Sequence, residues 1–174
     1  MGADEQIKNI LFRYALLVLT GLFLFDIFYT FLKPLTVYPV VLLLNLFFKT
    51  TLISNNVLLV NYFSQPIIIE LIDACIAGSA YYLLLMLNLS TPNIKTMKRL
   101  KILGTSFLIF LVVNILRIVF FSVAFIKGAI WFDFAHKFFW YFVSTFFVVG
   151  IWFFQVKIFK IKEIPFYSDF KFLH

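Results

Sequence analysis

The sequence predicts an all-α membrane protein: a polytopic helical bundle of four to five transmembrane helices, with a small extracytoplasmic β-hairpin before the helix that carries its cysteine. Of the 174 residues, 63% are hydrophobic and 13% are charged, whereas about a quarter of the residues in soluble proteins are charged. The mean hydropathy is +1.02. Several stretches between charges approach the roughly 20 apolar residues that one spanning helix needs. Residues 1–174 are therefore expected to form a single integral membrane domain.

Four apolar stretches are predicted to cross the membrane. They cover residues 14–32, 74–89, 102–126 and 138–156. The first is expected to end at Lys33 and Pro34, because proline breaks helices. Residues 35–48 are apolar but would rise only about 21 Å as a helix, so we expect a short or interfacial helix there. If this segment spans the membrane instead, the amino terminus changes side.

Residues 57–72 are predicted to form a hairpin on the outer face of the bundle. Two aliphatic runs, Val57 to Val60 and Ile67 to Ile69, flank a polar segment that contains Pro66. Short aliphatic and β-branched runs on either side of a polar turn are typical of paired strands. The hairpin leads directly into the cysteine helix.

The basic residues predict how the bundle is oriented. Four of them lie between the second and third predicted spans, and further lysines follow the fourth. Short loops rich in lysine and arginine face the cytoplasm, so the hairpin and the loop of residues 127–137 are expected outside. Topology and contact with anionic lipid account for the net charge of +7. We therefore expect a multi-pass protein of the cytoplasmic membrane that binds no nucleic acid.

Four side chains that carry ionisable groups are expected in the outer half of the bundle: Asp26, Cys75, Arg117 and His136. An ionisable residue within a membrane helix is energetically costly, so such a residue is a candidate for a functional role. A single cysteine with a histidine elsewhere is a candidate nucleophile and base. A helix amino terminus and a nearby arginine are both expected to lower the pKa of the cysteine thiol.

These side chains also have structural explanations. A lone buried cysteine commonly packs as a small apolar group, and Arg117 and Asp26 are able to form an ion pair that holds helices together. Two histidines and one cysteine argue against a protein metal site. The sequence contains no Gly-rich phosphate loop and no His-Glu-x-x-His helix, and no cofactor is expected.

Three short motifs carry a resemblance to a known family, the exosortase/archaeosortase membrane cysteine transpeptidases. Residues 73–78, Asp-Ala-Cys-Ile-Ala-Gly, resemble the acid-Ala-Cys-Ser-Gly segment of the family. Residues 114–117, Asn-Ile-Leu-Arg, are similar to its Asn-x-x-Arg motif, and His136 resembles the histidine that opens its last core helix. The resemblance covers about residues 50–154, and the short chain resembles a reduced, archaeal form.

The chemistry of the side chains, read together with this resemblance, predicts roles for six residues, of which Asp26 lies outside the three motifs. Cys75 would be the nucleophile, His136 the general acid and base, and Arg117 the group that stabilises the thiolate and the oxyanion. Asp26, Asp73 and Asn114 would orient them.

The resemblance also implies a reaction and its partners. The enzyme would recognise the C-terminal sorting-signal helix of exported proteins, cleave the chain on the extracytoplasmic side and transfer the new carboxyl end to an acceptor. Membrane lipid is one candidate acceptor. The alternative that the residues leave open is a non-enzymatic membrane subunit or small transporter with a structural pair of Asp26 and Arg117.

Overall fold

The computed structural model describes residues 8, 11–12, 14–19, 21, 25–63, 65–92 and 94–161, with the backbone alone for residues 25–28. From Phe25 onward its helices and strands, in chain order, are α1 (Phe25–Leu44), β1 (Lys49–Ser54), β2 (Val57–Tyr62), β3 (Gln65–Glu70), α2 (Asp73–Ile76), α3 (Gly78–Leu89), α4 (Thr96–Ile126), α5 (Phe132–Phe138) and α6 (Ser144–Ile158). A π-helical segment, Phe139–Val143, joins α5 to α6. The described part is thus mostly helical, with one small sheet.

Two helical stretches in the described part are long and apolar enough to cross a membrane, Thr96–Ile126 and Phe132–Ile158. The prediction of a bundle with four to five spanning helices is therefore wrong. The predicted span 74–89 fails because the helix is interrupted at Ala77, leaving α2 with 4 residues and α3 with 12. The longer piece rises about 18 Å, well short of a hydrocarbon core of about 30 Å.

Helix α1 differs from the prediction for residues 14–48. The predicted span 14–32 lies partly outside the described residues. The expected break at Lys33 and Pro34 is absent from α1, which continues through Pro34 and Pro39 to Leu44. A proline inside a helix removes one hydrogen bond and bends the helix, but it need not end it where both flanks are packed. Residues 35–48 are therefore the end of α1 and the turn that follows it, and not a separate helix.

The predicted hairpin belongs to a three-stranded antiparallel sheet in the order β1-β2-β3. Strand β3 pairs with β2 from Tyr62↔Gln65 to Val57↔Glu70. Strand β1, which no sequence pattern predicted, pairs with the other edge of β2. An isolated hairpin is marginally stable in water, and a third strand supplies the additional pairing that it needs.

Helix α4 lies at the centre of the fold and packs against α1, α3 and α6. The apolar core includes fully or nearly fully buried residues from all four helices: Val40, Leu44, Tyr81, Leu84, Phe110, Ile118, Val148 and Ile151. A buried polar contact fixes the early part of α4 against α6, since Ser106 Oγ donates to Gln155 Oε1 at 2.7 Å and Gln155 Nε2 donates to the Ile102 carbonyl at 2.8 Å. Helix α4 also contacts α2.

Candidate functional site

Cys75 lies in the short helix α2, immediately before a change in chain direction. Its N–H donates to the Ile72 carbonyl at 2.8 Å. Two residues later Ala77 has φ 59° and ψ 39°, a left-handed conformation that is costly for residues with a Cβ. Gly78 then begins α3 with the Tyr29 ring against it. The break leaves carbonyls at the end of α2 that need partners from elsewhere.

Helix α4 supplies those partners. Asn114 Nδ2 donates to the carbonyls of Cys75 at 3.0 Å and Ile76 at 3.4 Å. Arg117 Nη2 also donates to the Cys75 carbonyl, at 3.4 Å. Residues three apart share one face of a helix, so the Asn-x-x-Arg spacing places both donors against the cysteine turn.

A serine that was not among the predicted site residues anchors the Arg117 guanidinium. Arg117 Nη1 donates to Ser144 Oγ at 2.8 Å, and that hydroxyl donates to the Phe139 carbonyl at 3.0 Å. Ser144 follows directly on the π-helical segment, whose wider turn changes which residues face α4. Single π-helical turns within α-helices occur frequently at functional sites, but no local sequence signal identifies this one.

Cys75, Arg117 and His136 line one cavity of about 240 Å³, between β3, α4 and α5. They also line a smaller adjoining cavity of about 180 Å³. The His136 ring stacks on Phe132, with centroids 5.4 Å apart and planes 8° apart, and meets the edge of Phe121. The larger cavity is otherwise mainly apolar, with walls that include Ile118, Phe121, Phe125 and Phe132.

The remaining predicted site residues lie elsewhere. The exposed carboxylate of Asp73 is 3.0 Å from Lys33 Nζ and ties α2 to α1. Asp26 belongs to α1, but its side chain lies outside the described part, so the predicted contact with Arg117 does too. Ser79, four positions after the cysteine, was not among the predicted site residues; it is exposed and lines a different cavity, to which Arg117 also contributes.

The thiol of Cys75 is less acidic than the sequence predicts. Burial raises the pKa of Cys75, and the charge of Arg117 opposes this rise without overcoming it. The expected help from a helix amino terminus is small, because α2 has only 4 residues and helix dipoles add up along the helix. A thiol with a raised pKa is protonated at neutral pH, so its attack on a carbonyl requires a base.

The cavity therefore combines a thiol, an imidazole and a guanidinium within largely apolar walls. Acyl transfer requires a nucleophile, a group that carries protons and a cation that can stabilise the developing oxyanion. The three side chains can supply these in that order. No group of three or more side chains able to hold a metal ion occurs among the described residues. Comparison of the chain with protein-family models, curated proteins and solved structures finds no match.

Proposed function

We propose that this chain is a membrane cysteine protease and transpeptidase of the exosortase/archaeosortase type. It cleaves a C-terminal sorting signal of exported proteins and transfers the new carboxyl end to an acceptor. The observation that carries the proposal is the cavity lined jointly by Cys75, Arg117 and His136. These residues lie up to 61 positions apart in the sequence, and each belongs to one of the three motifs that resemble the family.

The geometry of the cysteine turn supports the same alignment. The family segment resembled by residues 73–78 has glycine two positions after the cysteine, where this chain has Ala77. Ala77 adopts a left-handed conformation, which glycine adopts without steric cost. The second motif contacts this turn directly, since Asn114 and Arg117 donate to its carbonyls.

The proposed reaction has two steps. His136 takes the thiol proton as Cys75 Sγ attacks the scissile carbonyl, and Arg117 stabilises the oxyanion that forms. The C–N bond then breaks, His136 returns the proton to the leaving amine, and a thioester remains on Cys75. In the second step an acceptor hydroxyl or amine attacks the thioester and gives its proton to His136. The C–S bond breaks, and His136 passes this proton to the released Cys75 thiolate. A membrane lipid with such a group is a suitable acceptor.

We place the protein in the cytoplasmic membrane as a multi-pass protein, with the cavity towards the extracytoplasmic side. The two membrane-length helical stretches are joined by a short loop after Ile126, and the cavity lies near that loop. The basic residues at the opposite end of α4, among them Lys98 and Lys101, favour a cytoplasmic position for that end. A substrate held by its own membrane helix reaches the cavity sideways from the lipid.

Processing of a co-encoded exported protein tests the proposal, provided that its carboxyl end combines a short motif, a membrane helix and a basic tail. Cys75→Ala should abolish processing, because no other described side chain in the cavity can form the thioester. Ser79→Ala is the matched control, since Ser79 is exposed and lies outside the cavity. Full processing by Cys75→Ala would refute the proposal and favour the structural alternative, in which the cysteine only packs.

A further inference from the structure

The two edges of the small sheet differ. At the β1 edge, the N–H of Thr50 donates to Asn45 Oδ1 at 2.8 Å, so a side chain covers that backbone group. Among the described residues no strand pairs with the outer edge of β3. An uncovered strand edge presents N–H and C=O groups that are able to pair with another chain.

The pairing register identifies which groups of β3 point outward. Tyr62 and Gln65 are the pair nearest the turn, and hydrogen-bonded pairs alternate with non-bonded ones in an antiparallel ladder. Leu71 N–H donates to the Asn56 carbonyl at 2.8 Å. By this alternation the N–H and C=O groups of the odd-numbered residues of β3 point towards β2. The N–H and C=O groups of Ile68 and Glu70 therefore face outward.

The outer edge of β3 borders the cavity of the candidate site. Ile68, Ile69 and Glu70 all line it, together with the two residues that follow. Side chains of consecutive strand residues point to opposite faces of a sheet. A cavity that is lined by three consecutive strand residues therefore lies along the backbone edge of the strand and not on one face of the sheet. The same cavity contains Cys75, which follows the end of β3 by five residues.

We propose that β3 binds the substrate by strand addition: an extended, apolar peptide segment next to the scissile bond pairs with Ile68 and Glu70 and thereby presents its carbonyl to Cys75. The inference rests on the proposed function and specifies how that site recognises its substrate. Backbone pairing fixes the path of the peptide, and the apolar cavity walls accept its alternate side chains. Pro66 already stands at an outward position of β3, where its missing N–H costs no ladder bond.

Peptide-directed alkylation of the full-length protein in detergent micelles tests this inference without the natural substrate. The probe is a tetrapeptide chloromethyl ketone of alternating valine and threonine, in which Cys75 displaces chloride. Chloroacetamide measures the intrinsic reactivity of the thiol, and a probe with methylated backbone nitrogens cannot pair as a strand. We expect the first probe to react at least about tenfold faster than its methylated form, since backbone hydrogen bonds are lost on methylation.

A substitution in β3 provides the second arm. Ile68→Pro removes an outward N–H without removing a ladder bond, and Ile68→Ala is the matched control that keeps the N–H. Ile68→Pro should abolish the advantage of the unmethylated probe and leave the chloroacetamide rate unchanged, while Ile68→Ala should retain the advantage.

The outcomes separate this inference from the proposed function. Equal rates for the methylated and unmethylated probes on the unsubstituted protein would overturn strand addition and leave a reactive thiol in place. This arm decides the matter even if Ile68→Pro does not fold. A Cys75 that reacts with none of the three reagents would overturn the proposed nucleophile and the inference with it.

Discussion

Substitution of Gly78 tests the contact that holds the cysteine turn against α1. A Cβ at this position would lie 2.7 Å from Cζ, 2.9 Å from Cε2 and 3.0 Å from Oη of Tyr29. The phenol group of Tyr29 is rigid, so these three atoms make room only if Tyr29 rotates or α1 shifts away from α3. Overpacking of this kind costs roughly 1–3 kcal/mol. The lower backbone entropy of unfolded alanine offsets about 0.5–1 kcal/mol of this cost, so Gly78→Ala should lower the free energy of unfolding by about 1–2 kcal/mol.

Gly104 provides the matched control. It lies inside α4, where an added Cβ would meet no neighbouring helix or strand of the described part within 4 Å. Gly104→Ala should therefore raise the free energy of unfolding by about 0.5–1 kcal/mol through the backbone entropy of the unfolded chain. Both variants are measured by denaturant unfolding in detergent micelles, followed by circular dichroism. Adding Tyr29→Ala to each variant should recover stability only in the Gly78 background.

The result also bears on the site. If the Tyr29 contact fixes the turn, Gly78→Ala should change the rate at which iodoacetamide alkylates Cys75, whereas Gly104→Ala should not. Equal stability of the two alanine variants, with no coupling between Gly78→Ala and Tyr29→Ala, would refute the reasoning.

Three further predictions concern residues within the site. The alkylation rate of Cys75 should rise with pH around a midpoint above the ordinary thiol pKa of about 8.5, because burial raises the pKa of Cys75. Arg117→Gln should move that midpoint still higher, because it removes the positive charge that opposes the rise. Ser144→Ala should lower substrate processing about tenfold or more by freeing the Arg117 guanidinium, while alanine at the exposed neighbour Thr145 should have little effect; equal activity of the two variants would remove Ser144 from the site. Ala77→Gly should raise the midpoint of denaturant unfolding, since relief of the left-handed strain, about 1–2 kcal/mol, exceeds the added entropy of glycine, and a lowered midpoint would contradict the strain argument.

The two membrane-length helical stretches and the strands β2 and β3 could be predicted from local patterns, whereas β1 could not. Helix α4 lies in an apolar stretch with few charges, and the aliphatic runs of β2 and β3 flank a polar turn. Such patterns reflect how each side chain distributes between water and apolar surroundings, which is a property of the local sequence. The candidate residues Cys75, Arg117 and His136 could be selected in the same way, because such side chains are rare in an apolar chain.

Where the helices end and which side chains meet was decided by tertiary packing. Alanine favours helix, so nothing local predicts the break at Ala77. The carbonyls of Cys75 and Ile76, just before the break, accept hydrogen bonds from side chains of α4. Pro34 predicted a helix end, yet α1 continues past it with Val37 and Val40 packed in the core. These outcomes depend on contacts between residues far apart in the sequence, and the free energy of such contacts exists only once the elements have packed together.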